Sequence, residues 1–225
     1  LVPLFLVGAM LWFVIFQPIQ VLPRMQLAPG FVMVTQTGES LTSEDLRGQL
    51  TLVNFTYSHC EAPECAQTTD SLPAVWAAVE DGLLGDQPVT FLTISLDPAR
   101  DTPEVLADFA AQYNAPPPNP NALNNWYFAT NPRETSLKAI VGGGYRIWYE
   151  IDEDSRTPNG DYAVDFRARY VLVDGWGIVR AEYTGSTLDS ERLLRDLALL
   201  NQEIERSSGT MRLAYEAAHL FRCYP

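Results

Sequence analysis

The sequence predicts an α/β fold with parallel strands at its centre, carried behind a single N-terminal transmembrane helix. Three observations point there. Two apolar, β-branched runs, residues 51–57 and 89–96, are each followed by a segment of helical periodicity, and this strand–helix alternation implies right-handed crossovers. Near the other end, Asp174-Gly175 turns one strand-like run back on the next, the signature of an antiparallel hairpin. Residues 1–16 hold no charged or strongly polar side chain, and with Gln17 as the one polar break the apolar stretch continues through Val21 and Leu22. That is about the 20 residues a helix needs to cross a hydrocarbon core.

Composition limits the function classes. With 225 residues, 47% of them hydrophobic, the chain can bury a full domain core without disulfide staples. A net charge of -13 repels phosphates, so nucleic acid and anionic lipid are excluded as partners. Such acidity implies a solvated surface, or a docking face for a basic partner such as an electron carrier. Three cysteines are too few for a disulfide scaffold; they fit a redox or metal pair, Cys60 with Cys65, plus Cys223 near the end.

In chain order, residues 1–22 are read as an uncleaved anchor and residues 23–30, with two prolines and a glycine, as an extended linker. A domain over 31–206 follows. Phe31 to Val34 reads as a strand, Thr37-Gly38 as a turn, and Thr42 to Gly48 as a helical turn capped by Ser43 or Thr42. The strand at 51–57 leads into the cysteines. Leu72, Val75, Trp76 and Val79 recur at helical spacing, closed by Asp81-Gly82 and Gly85. Val89 to Leu96 is a strand of the buried parallel type, and Asp101 or Thr102 caps a helix begun by Pro103 and carried by Val105, Leu106, Phe109 and Ala110. A proline-rich loop, 114–124, precedes a short strand at 126–129 and a helix at 134–140 that Gly142, Gly143 and Gly144 are expected to end. Strands are expected at 145–151, 167–173 and 178–183, with a polar excursion after the first. Asp189 caps a long helix through Glu205 with Leu193, Leu194, Leu197 and Leu200 inward; the tail, 207–225, has the spacing of a short amphipathic helix that packs on its own domain.

The chemistry gathers at TLVNFTYSHCEAPEC, residues 51–65. A cysteine just ahead of a helix N-terminus has its thiolate stabilised by unpaired backbone N–H groups, which makes it a nucleophile or a soft-metal ligand. Pro63 suits a first helical turn. Glu61 and Glu64 oppose this, because nearby negative charge raises a thiol pKa. A structural disulfide is the alternative reading of the pair.

The order of elements, with a cysteine pair at a helix start and a closing hairpin and helix, resembles the thioredoxin-like fold. The motif NFTYSHCEAPEC resembles the strand and copper motif of the Sco/SenC family, ISLDPARDTPEVLADFAAQY is similar to that family's second strand and helix with its DP-RDTPE signature, and DYAVDFRARYVLVDGWGIV looks like the stretch that carries its metal-binding histidine. The resemblance implies a domain on the outer side of an energy-transducing membrane, tied to cytochrome oxidase assembly. It further implies a copper ion held by two cysteines in CxxxC spacing and one distant histidine, with thiol-disulfide exchange as the other role.

Two departures strike that chemistry. Cys60 and Cys65 have four residues between them, and on a helix such positions lie about 140° apart with α-carbons about 8 to 9 Å apart, beyond the ~7 Å a disulfide spans. A loop broken at Pro63 would remove the obstacle. The second is Phe166, which stands where the family's ligand histidine is expected and offers no lone pair. Two thiolates alone can still hold Cu(I), which soft sulfur suits, but not Cu(II). His59 is not counted as a ligand, since adjacent side chains usually diverge. The expectation is therefore a single-pass accessory or assembly subunit of a respiratory or photosynthetic electron-transport complex, with its copper site lost and binding surfaces doing the work. A cytochrome oxidase or an alternative complex III is the natural host. The rivals are a thiol-disulfide oxidoreductase with Cys60 as nucleophile and Cys65 as resolving thiol, and a Cu(I) chaperone for cytochrome oxidase; enzymatic activity is left open between them.

Overall fold

The computed structural model describes residues 19–60, 71–185, 187–207 and 211–221, the side chains of 220 and 221 excepted. The anchor expected over 1–22 lies outside these residues up to position 18, and no helix among the described residues is long and apolar enough to cross a membrane.

Ten strands and five α-helices are described. An eight-stranded sheet has the order β1-β10-β9-β4-β5-β6-β2-β3, and its centre is β4 (Leu50–Thr56) between β5 (Val89–Ser95) and β9 (Arg169–Val173). β4 and β5 are parallel, as are β5 and β6 (Asn125–Thr130), while β9 runs antiparallel to β4 and to β10 (Ile178–Thr184). Every residue of β4 and β5 is buried, because both faces of the sheet are covered. The pleat sends alternate residues to opposite sides. Leu50 and Leu52 join one core with Phe91, Trp126 and the inner faces of α1 (Leu72–Glu80), α2 (Pro103–Gln112) and α4 (Ser190–Arg206); Val53 and Phe55 join a second with Leu92, Ile94, Leu137 and Tyr145. Thr102 caps α2 by accepting from the Val105 N–H, and Asp189 caps α4 through the Arg192 N–H.

The structure departs from the expected elements where pairing partners, not local pattern, decide. The stretch at 23–30 is extended, as its prolines demand, but it is docked: β1 (Gln26–Leu27) pairs with β10, and Pro29 lies so close to Gly144 that a Cβ there would collide with its ring. Leu22, assigned to the anchor, is buried in the first core. The helical turn expected from Thr42 begins as a strand, β3 (Ser40–Thr42), pairing with β2 (Val32–Thr35); Asp45 then closes the turn by accepting from the Thr42 N–H at 2.8 Å. Gly142 to Gly144 do not end α3 (Glu134–Lys138) at once, since the chain continues as a wider π-helical turn, Ala139–Gly144. The strand expected from Tyr145 starts at Tyr149, and a separate ribbon forms from β7 (Tyr149–Asp152) and the unforeseen β8 (Ala163–Phe166), joined by the polar excursion. The tail forms α5 (Met211–Phe221), with Tyr215 and Ala218 buried against Val21.

Candidate thiol and metal site

β4 delivers the loop Tyr57–Cys60 to the edge of the second core, where Cys60 packs half-buried. Cys60 is disulfide-bonded, and its partner, like Cys65, Cys223, Glu61, Pro63 and Glu64, lies outside the described residues. β8 carries Phe166 to the same apolar cluster, opposite Tyr149 in the ribbon, with its ring edge-on to Tyr57 at 6.3 Å. The two positions that the sequence singled out from residues far apart thus share one cluster. Phe166 brings to it a packed ring and no donor atom.

Beneath the loop lies a polar scaffold built by the DPARDTPE run. Asp101, at 0% exposure, does not cap α2; it turns inward, accepting from the Ser58 N–H at 3.0 Å and from the hydroxyls of Ser58 and Ser95. A buried carboxylate with three donors is satisfied as a hydrogen-bonding group, so the loop is pinned to the end of β5. Ser58 Oγ also lies 2.7 Å from His59 Nδ1. A hydroxyl has one proton to give. If that proton goes to Asp101, His59 Nδ1–H is the donor to Ser58 Oγ.

Asp97 ties the ribbon down. Its carboxylate accepts from Arg100 Nε and from the Tyr162 hydroxyl at 2.7 Å, while Arg100 stacks over the Tyr162 ring with Cζ 3.7 Å from the centroid and donates to the Tyr162 carbonyl. Burial, then the hydrogen bond to Asp97, pushes the Tyr162 hydroxyl up to about 12, so it remains a neutral donor at physiological pH. Tyr57 closes the frame: its hydroxyl accepts from the Val164 N–H at 3.1 Å, and burial pushes its pKa up as well. Phe166 is held two residues further along that strand. None of Ser58, Ser95, Asp97, Arg100, Tyr57 and Tyr162 is identifiable as a supporting residue from spacing alone. The available signal was two aspartates, Asp97 and Asp101, soon after a fully buried strand, where solvent-facing caps would be the ordinary reading.

The donor set fits copper only in part. Among the described residues no three His, Cys, Asp or Glu side chains are close enough to hold a metal ion. In the reduced chain the thiolates of Cys60 and Cys65 suit two-coordinate Cu(I); a three-ligand site that accepts Cu(II) is not matched, because Phe166 contributes no lone pair.

The SCO1/SenC family model matches residues 20–202. The chain belongs to that family. Among relatives, 153 residues are 30% identical to protein SCO2, mitochondrial, of Saccharomyces cerevisiae, covering 67% of this chain and 45% of that one. A second relative, the SCO1 protein homolog of Bacillus subtilis, is 26% identical over 158 residues, 69% of this chain and 72% of that one. This SCO1/SenC chain therefore spans between under half and about seven tenths of the length of these two relatives. Copper-bound yeast Sco1 superposes with a TM-score of 0.64 at 19% identity, over 89% of this chain and all of that one. Copper-bound ScoI of Arabidopsis thaliana gives 0.62 at 21%, over 80% and 98%. These likenesses establish the thioredoxin-like Sco fold expected from the order of elements.

Proposed function

We propose that this SCO1/SenC chain is a membrane-anchored accessory or assembly subunit of a respiratory or photosynthetic electron-transport complex, a cytochrome oxidase or an alternative complex III, whose three-ligand copper site has been given up. The uncharged stretch 1–16 provides a single-pass anchor that ends before Val21 and Leu22, which are buried in the domain, and the domain faces the outer side of the membrane. One observation carries the reading: Phe166, which stands where the family's ligand histidine is expected, shares the apolar cluster of Cys60 and packs its ring on Tyr57. A family frame without its third ligand is what remains when binding surfaces are retained and Cu(II) chemistry is not. The complex is tested by affinity purification of the full chain in mild detergent. Recovery with redox subunits in fixed ratio is expected; recovery of the chain alone would sink the proposal.

Copper is tested directly on the reduced full chain with a competing Cu(I) chelator and a Cys60→Ser/Cys65→Ser control. Weak uptake that the chelator strips away is expected, since two thiolates without a third ligand hold Cu(I) less tightly than a complete site. Stoichiometric uptake lost in the control would instead establish the Cu(I) chaperone reading. Phe166→His is expected to create what the natural chain lacks, a Cu(II) site with thiolate-to-copper charge-transfer absorption, because the new imidazole enters the cluster that Cys60 already touches. No absorption in that variant would mean that the frame around Phe166 no longer points at the thiols.

The disulfide at Cys60 favours a second reading, thiol-disulfide exchange. A substrate dithiol would give two electrons and two protons to the disulfide at Cys60, leaving the substrate disulfide and two chain thiols. It predicts misoxidised thiols in a Cys60→Ser strain.

A further inference from the structure

The N-terminal stretch, the β9–β10 turn, the end of α4 and α5 are joined by one buried cluster of charges. Arg180, 3% exposed, donates to Asp174, to Glu203 and to the carbonyls of Leu22 and Pro23. Glu203 also accepts from His219, and Arg24 forms a two-pronged pair with Glu216. Around this cluster lies an apolar surface. Six of the ten large apolar side chains exposed among the described residues, Met25, Leu27, Trp176, Ile204, Met211 and Leu213, belong to these four segments. Met25 and Leu27 are two residues apart in the extended stretch that includes β1 and so face the same way. Trp176, at the tip of the hairpin turn, is 80% exposed, and Leu27 and Leu213 are each 74% exposed.

Charge and position say what covers this surface. The chain carries 15 basic and 28 acidic residues, yet residues 19–28 and 201–219 together hold three arginines and three glutamates. The patch is thus locally neutral on an acidic protein, the balance that suits a zwitterionic surface. It also lies where the uncharged stretch 1–16 joins the domain, since Val21 packs on Tyr215 and Ala218 of α5. A tryptophan on a turn beside aliphatic side chains is the composition that rests at a headgroup boundary.

We propose that this face lies on the headgroup layer of a phosphatidylcholine-like bilayer, fixing the orientation of the domain; the proposal rests on the membrane-anchored reading above. Thr51 pairs with Val173 beside the turn, and β4 runs from there to Cys60. The thiol loop therefore stands at the opposite end of the sheet, a strand length of about 20 Å away. Docking the patch points Cys60 and Phe166 away from the lipid and toward a partner in the aqueous phase.

The test uses the full chain in phosphatidylcholine nanodiscs, with p-benzoylphenylalanine incorporated singly at positions 176, 213, 12, 148 and 32 and lipid adducts read by mass after illumination. Trp148 and Val32 are exposed apolar controls toward the thiol end of the sheet. Adduct yields at 176 and 213 several-fold above those at 148 and 32 are expected. Adducts at 12 without any excess at 176 and 213 would overturn the docked face while leaving the anchor intact. Adducts at 176 and 213 but not at 12 would support the face and sink the anchor. Crosslinks from 176 or 213 to a second copy of the chain in place of lipid would overturn the proposal, as would no adduct at any position, which would remove the anchor as well.

Discussion

Asp101→Ala is expected to lower stability by about 3 kcal/mol, because it strands three donors around a fully buried position at a cost of about 1–3 kcal/mol for each that finds no other partner. Among the described residues the Ser58 N–H and the Ser95 hydroxyl donate to no second acceptor, whereas Ser58 Oγ can turn to His59 Nδ1. The loss falls on the loop that presents Cys60, so the disulfide should also be reduced faster by dithiothreitol. Asp101→Asn keeps one acceptor oxygen and the side-chain volume and should cost about half as much, since only charge assistance and one acceptor are lost. Urea unfolding of the two variants, read beside reduction rates, checks both points. An Asp101→Ala cost below about 0.5 kcal/mol, the range of surface substitutions, would show that the DPARDTPE run does not support the loop.

Arg180→Met should cost about 3–5 kcal/mol, the range for breaking a buried ion pair by removing one partner. Asp174 would be left without its cation, Glu203 with only His219 and the more distant Arg24, and the carbonyls of Leu22 and Pro23 without their donor. The damage should be directional, loosening residues 19–28 and α5 before the central strands. Limited proteolysis is therefore expected to cut near residues 23–30 and after 207 in the variant while the core persists; unchanged cleavage would refute the clamp. The same cluster sets an acid limit. Burial pushes the Glu203 carboxyl up, but hydrogen bonds from His219 and Arg180 outweigh it, and its pKa lies below the ordinary 4.5. A depressed folded-state pKa stabilises above the unfolded value and loses that contribution as pH falls through the folded one. Melting temperature should therefore decline below about pH 4.5 in the natural chain, and less steeply in Glu203→Gln. Equal slopes would remove Glu203 from the acid transition.

Much of this protein is legible in the order of its residues. The buried parallel pair 51–57 and 89–96, the hairpin at Asp174-Gly175, the Thr102 and Asp189 caps and the α4 stripe all follow from local pattern, because each is enforced by a period, a turn or a cap that acts within a few residues. That Phe166 offers no ligand atom was also visible, since a missing lone pair is a property of the residue itself. What only the tertiary structure decided was pairing. Residues 23–30 read as a linker because prolines look the same in a free strand and a docked one, and Arg180 and β10 dock them from more than 150 positions away. The ribbon of β7 and β8 is too short to show a period, and it exists because Asp97, Arg100 and Tyr57 hold it. Asp101 stood beside Thr102 as a candidate cap, since a carboxylate before a helix ordinarily serves the helix; the sequence cannot show that Ser58 and Ser95 compete for it. Local physics determined the elements and the ligand inventory, and long-range hydrogen bonds, whose partners no local window contains, determined where the thiol loop and the chain ends are fixed.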